Sequence, residues 1–265
     1  MKKIPNADIQ LSPITLGTMT YGSPVAFEDA VKLTQYAVGQ GINHIDTANM
    51  YEGYNRYAGS AGGVAEEIVG KALKGLRRLD TDYIDLYYLH KPDPSCSYEE
   101  ILTALQAQIQ AGKIRYYGIS NYSAEQLQQL LNCADAAGLP RPVICQPPLS
   151  LLKDGAREHL LPLCQREGIA VVPYQIYQGG LLTGKYRRGV ALPTGSRAAE
   201  MPGWMMTMDD ALYDKLEAYA AEADKQGITM AQYALRWVLD QPAVISALVG
   251  VKTTAQIDAA LAAIK

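Results

Sequence analysis

The feature that most constrains this chain is an alternation: short runs rich in β-branched and aromatic residues, each followed by a longer amphipathic stretch. The runs are PITLG (13–17), INHID (42–46), YIDLYYLH (83–90), IRYYGIS (114–120), PVICQ (142–146), IAVVPY (169–174) and VISALVG (244–250). Helices are expected near 27–39, 64–79, 98–111, 123–137, 157–167, 209–225, 229–240 and 254–263. Parallel neighbours can be joined only by a crossover, so strand then helix, repeated, demands a parallel sheet with covering helices. At this spacing the expected fold is α/β, a (β/α)8 TIM barrel. With 265 residues, 48% of them hydrophobic, and no Ser-, Pro- or Gly-rich linker, the chain is expected to form one domain over 1–265. Local signals agree. Ser123 stands three residues before Gln126, the spacing of a capping box, and Gly112 and Gly168 follow last apolar turns.

The runs number seven, and a closed barrel of this type needs eight. The shortfall is local: VAEEIVGKALKG passes through LRRLDTD into YIDLYYLH with no strand between. One βα unit with its crossover takes about 30 residues, so the third unit is expected to be absent from this sequence after Gly75. An open seam exposes unpaired backbone groups and apolar faces. The functional protein is therefore expected to hold further residues between Gly75 and Leu76; the alternative is a true deletion with impaired chemistry.

A formal charge of -3 without basic blocks argues against nucleic acid or an anionic membrane as partner. The opening MKKIPNADIQ has no apolar core behind its lysines, and no apolar run reaches the ~20 residues that span a bilayer, so a cytoplasmic location is expected. Cys96, Cys133, Cys145 and Cys164 are widely spaced, as free thiols are, and His44, His90 and His159 form no HExxH. No metal is expected.

Chemistry in such barrels comes from the C-terminal strand ends. Asp46 ends the second run, five residues before Tyr51, and His90 ends the third. From position alone, Asp46 either caps a turn or belongs to a reacting group, and His90 either bonds a loop carbonyl or reacts.

Ten segments in order decide between these readings: ITLGTMTYG, IDTANMY, EEIVGKALKG, TDYIDLYYLHKPD, GKIRYYGISNY, CQPPLSLL, PLCQREGIAVVPYQIYQGGLLTGKY, GSRA, ALRWVLDQPAVISALVG and TTAQIDAAL. With them the chain resembles the aldo-keto reductases over nearly its whole length. The resemblance implies a (β/α)8 barrel and NADPH-dependent reduction of an aldehyde or ketone, with NADPH/NADP+ bound without a GxGxxG loop. It implies Tyr51 as proton donor to the carbonyl, Asp46 as its support and His90 as the group that orients the carbonyl. The family lysine that pairs with the aspartate belongs to the absent unit; Lys71 and Lys74 lie on the preceding helix and read as a solvated face. For the cofactor the resemblance implies Gly17, Thr18, Met19 and Asp46 near the first strands. It adds Ser120, Asn121 and Gln146 at the carboxamide and Tyr174 against the ring. Gln175 replaces the more frequent serine. Leu181, Gly184, Lys185 and Arg197 fall around the pyrophosphate, and Gly250, Lys252, Thr254 and Gln256 at the adenosine end. Lys252 suits a 2′-phosphate, while Ala259 and Ala260 replace the Glu and Asn that hold adenine in many relatives. Tyr54, Tyr57, Trp204 and Met205 are candidate pocket residues. The alternative is a nucleotide-binding regulatory or sensing protein with little turnover.

Overall fold

The computed structural model describes residues 1–55, 60–74 and 83–264. A short antiparallel hairpin, β1 (Lys2–Lys3) with β2 (Gln10–Leu11), precedes the first barrel strand, β3 (Ile14–Gly17). The chain continues through α1 (Phe27–Gly39), β4 (Ile45–Asp46), α2 (Val64–Lys74), β5 (Ile84–Leu89), α3 (Tyr98–Gln110), β6 (Ile114–Ser120) and α4 (Ala124–Ala137). It closes with β7 (Ile144–Gln146), α5 (Leu160–Arg166), β8 (Ala170–Val171), α6 (Arg197–Glu200), α7 (Asp210–Lys225), α8 (Met230–Leu239), β9 (Ala247–Gly250) and α9 (Thr254–Ala263). The fold is the expected α/β barrel of the TIM type.

Pairing is parallel in β4–β3–β9 and in β5–β6–β7–β8. Val171 joins the two sets: its N–H donates to the Ala243 carbonyl at 2.9 Å and its carbonyl accepts from Ile245 N–H at 3.0 Å. The barrel strands therefore run in the order β4, β3, β9, β8, β7, β6, β5, and among the described residues no ladder joins β4 to β5. At that seam Ile84 is 51% exposed and Tyr87 43%, whereas Ile144 and Cys145 in the middle of the sheet are fully buried. The expected junction at Gly75–Leu76, and the stretch 75–79 of the second expected helix, lie outside the described residues.

Two apolar layers hold the barrel. Ile4, Leu11, Ile144, Val172 and Ile245 fill the interior at the hairpin end. Outside, Leu127, Leu130 and Leu131 on one stripe of α4 are fully buried in the shell between helices and sheet. Each such side chain contributes about 1.5–3 kcal/mol. The expected capping box of α4 is present: Ser123 Oγ accepts from Gln126 N–H, and the Gln126 side chain accepts from Ser123 N–H. α5 starts three residues later than the expected 157, after a 3-10 turn at Gly155–Arg157. Pro162 is the reason, since its ring is tolerated only in a helix's first turn.

Candidate active site

In-register parallel pairing brings distant residues to one rim. Gly17 lies opposite both Asp46 and Gly250, Ser120 opposite Gln146, and Leu89, just before His90, opposite Ile119. The Asp46 carboxylate accepts from Gln146 Nε2 at 2.9 Å across 100 residues of sequence. Its backbone carbonyl accepts from Thr18 N–H and Thr18 Oγ1, so the candidate Thr18 fixes the strand end. Burial raises the Asp46 carboxyl from 3.8 to about 6, with the Gln146 N–H pulling the other way. Among the described residues no lysine or arginine forms an ion pair with Asp46. Lys71 instead pairs with Glu28 across α1 and α2, as a solvated helix face would.

The Tyr51 ring meets the His90 ring edge-on, centroids 6.2 Å apart and planes at 78°. Tyr51 is held by its own backbone, which donates to the Ala48 carbonyl and accepts from Ala65 N–H at the start of α2. Of the sequence-expected trio, Tyr51 and His90 meet directly, while Asp46 is joined to Gln146.

The expected carboxamide group forms a second, linked cluster. Ser120 Oγ donates to the Gln146 carbonyl at 2.8 Å, Asn121 Nδ2 to the His90 carbonyl at 2.8 Å, and Tyr174 Oη to Asn121 Oδ1 at 2.6 Å. Asn121 (φ 62°) and Gln175 (φ 58°) both sit in the left-handed region, unusual for residues other than glycine and concentrated at functional rims.

A third group gathers where α6 meets the loop before α9. Lys252 Nζ donates to Glu200 Oε2 and to the Gly195 carbonyl, each at 2.9 Å, and lies 5.3 Å from the Tyr54 ring centroid. Arg197 stacks over Tyr54 and Trp204, whose rings meet edge-on at 5.6 Å. Gln256 Oε1 accepts from Lys252 N–H, and Thr254 opens α9. Leu181 is buried within a 3-10 stretch, Gly184 supplies a left-handed turn, and Lys185 lies over the Tyr186 ring. Met205 packs its sulfur against Gly179. Met19 lies in the loop after β3, and Tyr57 is outside the described residues.

Three features escaped the sequence reading. Tyr88 has a buried hydroxyl beside Gln146, pushed well up first by burial and then by the charge of Asp46, with Gln146 pulling the other way; its alternation with Leu86 in IDLYYL was the available signal. His44 is buried in the interior, its Nδ1 at 2.9 Å from Thr15 Oγ1, which also meets Ser246 Oγ. Glu200 carried no signal. Among the described residues, no three His, Cys, Asp or Glu side chains cluster as metal ligands, and no helix is long and apolar enough to cross a membrane.

Comparison with known proteins bears on family and fold. The model of the aldo/keto reductase family matches residues 13–76 and 56–265, two segments that overlap over 56–76. Protein tas of Escherichia coli is 32% identical over 96% of this chain and 90% of its own length. That alignment runs over 312 positions, more than the 265 residues here, so part of that relative lies opposite gaps. A probable voltage-gated potassium channel subunit beta of Arabidopsis thaliana is 28% identical over 97% of this chain and 88% of its own. The solved glycerol dehydrogenase of Gluconobacter oxydans superposes with a TM-score of 0.78 at 28% identity, covering 97% of this chain and 88% of that one. Fold, strand-end constellation and family match together establish that this chain belongs to the aldo/keto reductase family.

Proposed function

We propose that this oxidoreductase-family chain reduces an aldehyde or ketone to the alcohol with NADPH. The observation that carries the reading is the convergence of Tyr51 and His90, edge to face, beside the Gln146–Asp46 hydrogen bond at the barrel rim. The donor set fits a nicotinamide nucleotide. Ser120, Asn121 and Gln146 offer hydroxyl and amide groups to a carboxamide, Tyr174 offers a ring face, and Arg197 and Lys252 offer cations to phosphates. When bound, the reduced nicotinamide supplies a hydride to the carbonyl carbon.

The protein's own residues do the rest. A phenol keeps its proton at neutral pH, so Tyr51 can deliver one to the carbonyl oxygen as charge develops there, and the phenolate recovers it from water. His90 holds the carbonyl toward Tyr51. Gln146 holds Asp46, and with it the end of β4 from which the Tyr51 loop departs. Proton donation of this kind contributes about 10²–10⁴-fold. Tyr51→Phe should lower kcat by that range while NADPH still binds, as read by fluorescence titration and aldehyde-dependent loss of reduced cofactor.

One observation favours a second reading, nucleotide binding with little turnover: Asp46 has Gln146 rather than a cation for its partner among the described residues. A panel of aldehydes separates the two. Saturable cofactor binding without turnover on any of them would leave the binding role.

A further inference from the structure

The adenosine end of the proposed cofactor site contains a charge that no part of that reading uses. Lys252, the cation suited to a 2′-phosphate, is already engaged. Of the three N–H donors on its ammonium, one goes to Glu200 Oε2 and one to the Gly195 carbonyl, and the Tyr54 ring lies against it. Glu200 and Lys252 are each about one-third exposed, so the pair sits where a ligand can reach it. The geometry holds Glu200 in place: Ser196 caps the single turn of α6, accepting from Ala199 N–H, and Arg197 from the same turn is clamped over Tyr54 and Trp204.

We propose that Glu200 is a specificity-determining residue for the nucleotide. By competing for Lys252, it narrows the preference for a 2′-phosphorylated nucleotide over its unphosphorylated counterpart. An incoming 2′-phosphate must either displace the carboxylate or share the ammonium with it, two anions around one cation. A ribose 2′-hydroxyl is neutral, meets no such repulsion, and can donate to the same carboxylate. The effect acts through Lys252, which also holds the Glu200 carboxylate, so it is expected to be lost when Lys252 is removed and the carboxylate is released to solvent. This inference rests on the nicotinamide-nucleotide reading above and assigns that site a flattened choice between NADPH and NADH.

The test uses the full chain and two adenosine fragments, 2′,5′-ADP and ADP, titrated calorimetrically at low salt. Glu200→Gln removes the charge but keeps the shape at a partly exposed position, and its melting temperature should match that of the parent. It is expected to bind 2′,5′-ADP about fivefold more tightly, the upper range for an exposed ion pair, with ADP changed less than about twofold. In a Lys252→Met background the same substitution should leave both affinities unchanged within about twofold. Equal weakening of both fragments in Glu200→Gln would make Glu200 a strap over the site and overturn the proposal. An unchanged ratio would overturn it too. If the parent chain binds neither fragment yet turns over aldehyde with NADPH, this inference fails alone; if it binds no nucleotide at all, the proposed function fails with it.

Discussion

Two titratable groups work against each other, Asp46 part-buried at the rim and His44 buried in the interior. Burial raises Asp46 from 3.8 to about 6, the Gln146 N–H opposing. Between those values the folded chain holds a proton that the unfolded chain has released, so this contribution to stability falls as pH rises through the window. Burial lowers His44 from 6.5 to about 4, against a smaller raising by Asp85. There the unfolded chain takes the proton first, and stability falls as pH drops. The two slopes offset each other between roughly pH 4 and 6. Asp46→Asn keeps an acceptor for Gln146 and removes the part-buried charge. It should be more stable than the parent by about 2–3 kcal/mol at pH 7, and should lose stability on acidification where the parent holds level. Urea unfolding at about pH 7 and 4.5 reads both effects, and an Asp46→Asn variant less stable at neutral pH would contradict them. Asp46 and Tyr51 were legible in the sequence because their spacing is local. The Gln146–Asp46 bond was not, because it joins residues 100 positions apart, and neither was Glu200, whose partner Lys252 is set by tertiary placement alone.

Strand β5 carries the cost of the seam. Ile84 N–H donates to the Lys113 carbonyl on the β6 side, and parallel pairing makes successive residues point to opposite edges. The N–H groups of Asp85, Tyr87 and Leu89 therefore face the open side. Their amides should exchange with solvent faster than those of Tyr117 and Ile119 on β6, in a hydrogen-exchange measurement resolved by residue; equal protection would mean the edge is covered. Gly118 shows how tightly the other edge of β5 is packed. A Cβ there would lie 2.4 Å from Ile144 Cγ2 and 2.8 Å from Tyr88 Cε1. Gly118→Ala should cost about 1–3 kcal/mol by overpacking, seen as a lowered Tm; an unchanged Tm would show that β5 can move aside. Strand positions were readable from alternation, but their lengths were not. β7 is three residues rather than five, bounded by prolines at 142 and 147 that lack the ladder donor. β4 is two residues, paired only with β3 among the described residues.

For the molecule as a whole, barrel order and rim were legible because each βα unit repeats the same signal, and a missing repeat shows as a missing count. Seven barrel strands in one order among the described residues and an exposed β5 are what an absent unit between β4 and β5 would leave. The natural protein should accordingly show an intact mass several kDa above 28.8 kDa, and a mass equal to that figure would instead mean a shortened barrel. Carbonyl reduction through Tyr51 is tested by following NADPH oxidation with an aldehyde panel for the parent chain and Tyr51→Phe, each shown by titration to bind NADPH. The parent should form one alcohol per NADPH consumed, and the variant should show a kcat lower by about 10²–10⁴-fold with NADPH affinity kept. Equal kcat in the two proteins would contradict it.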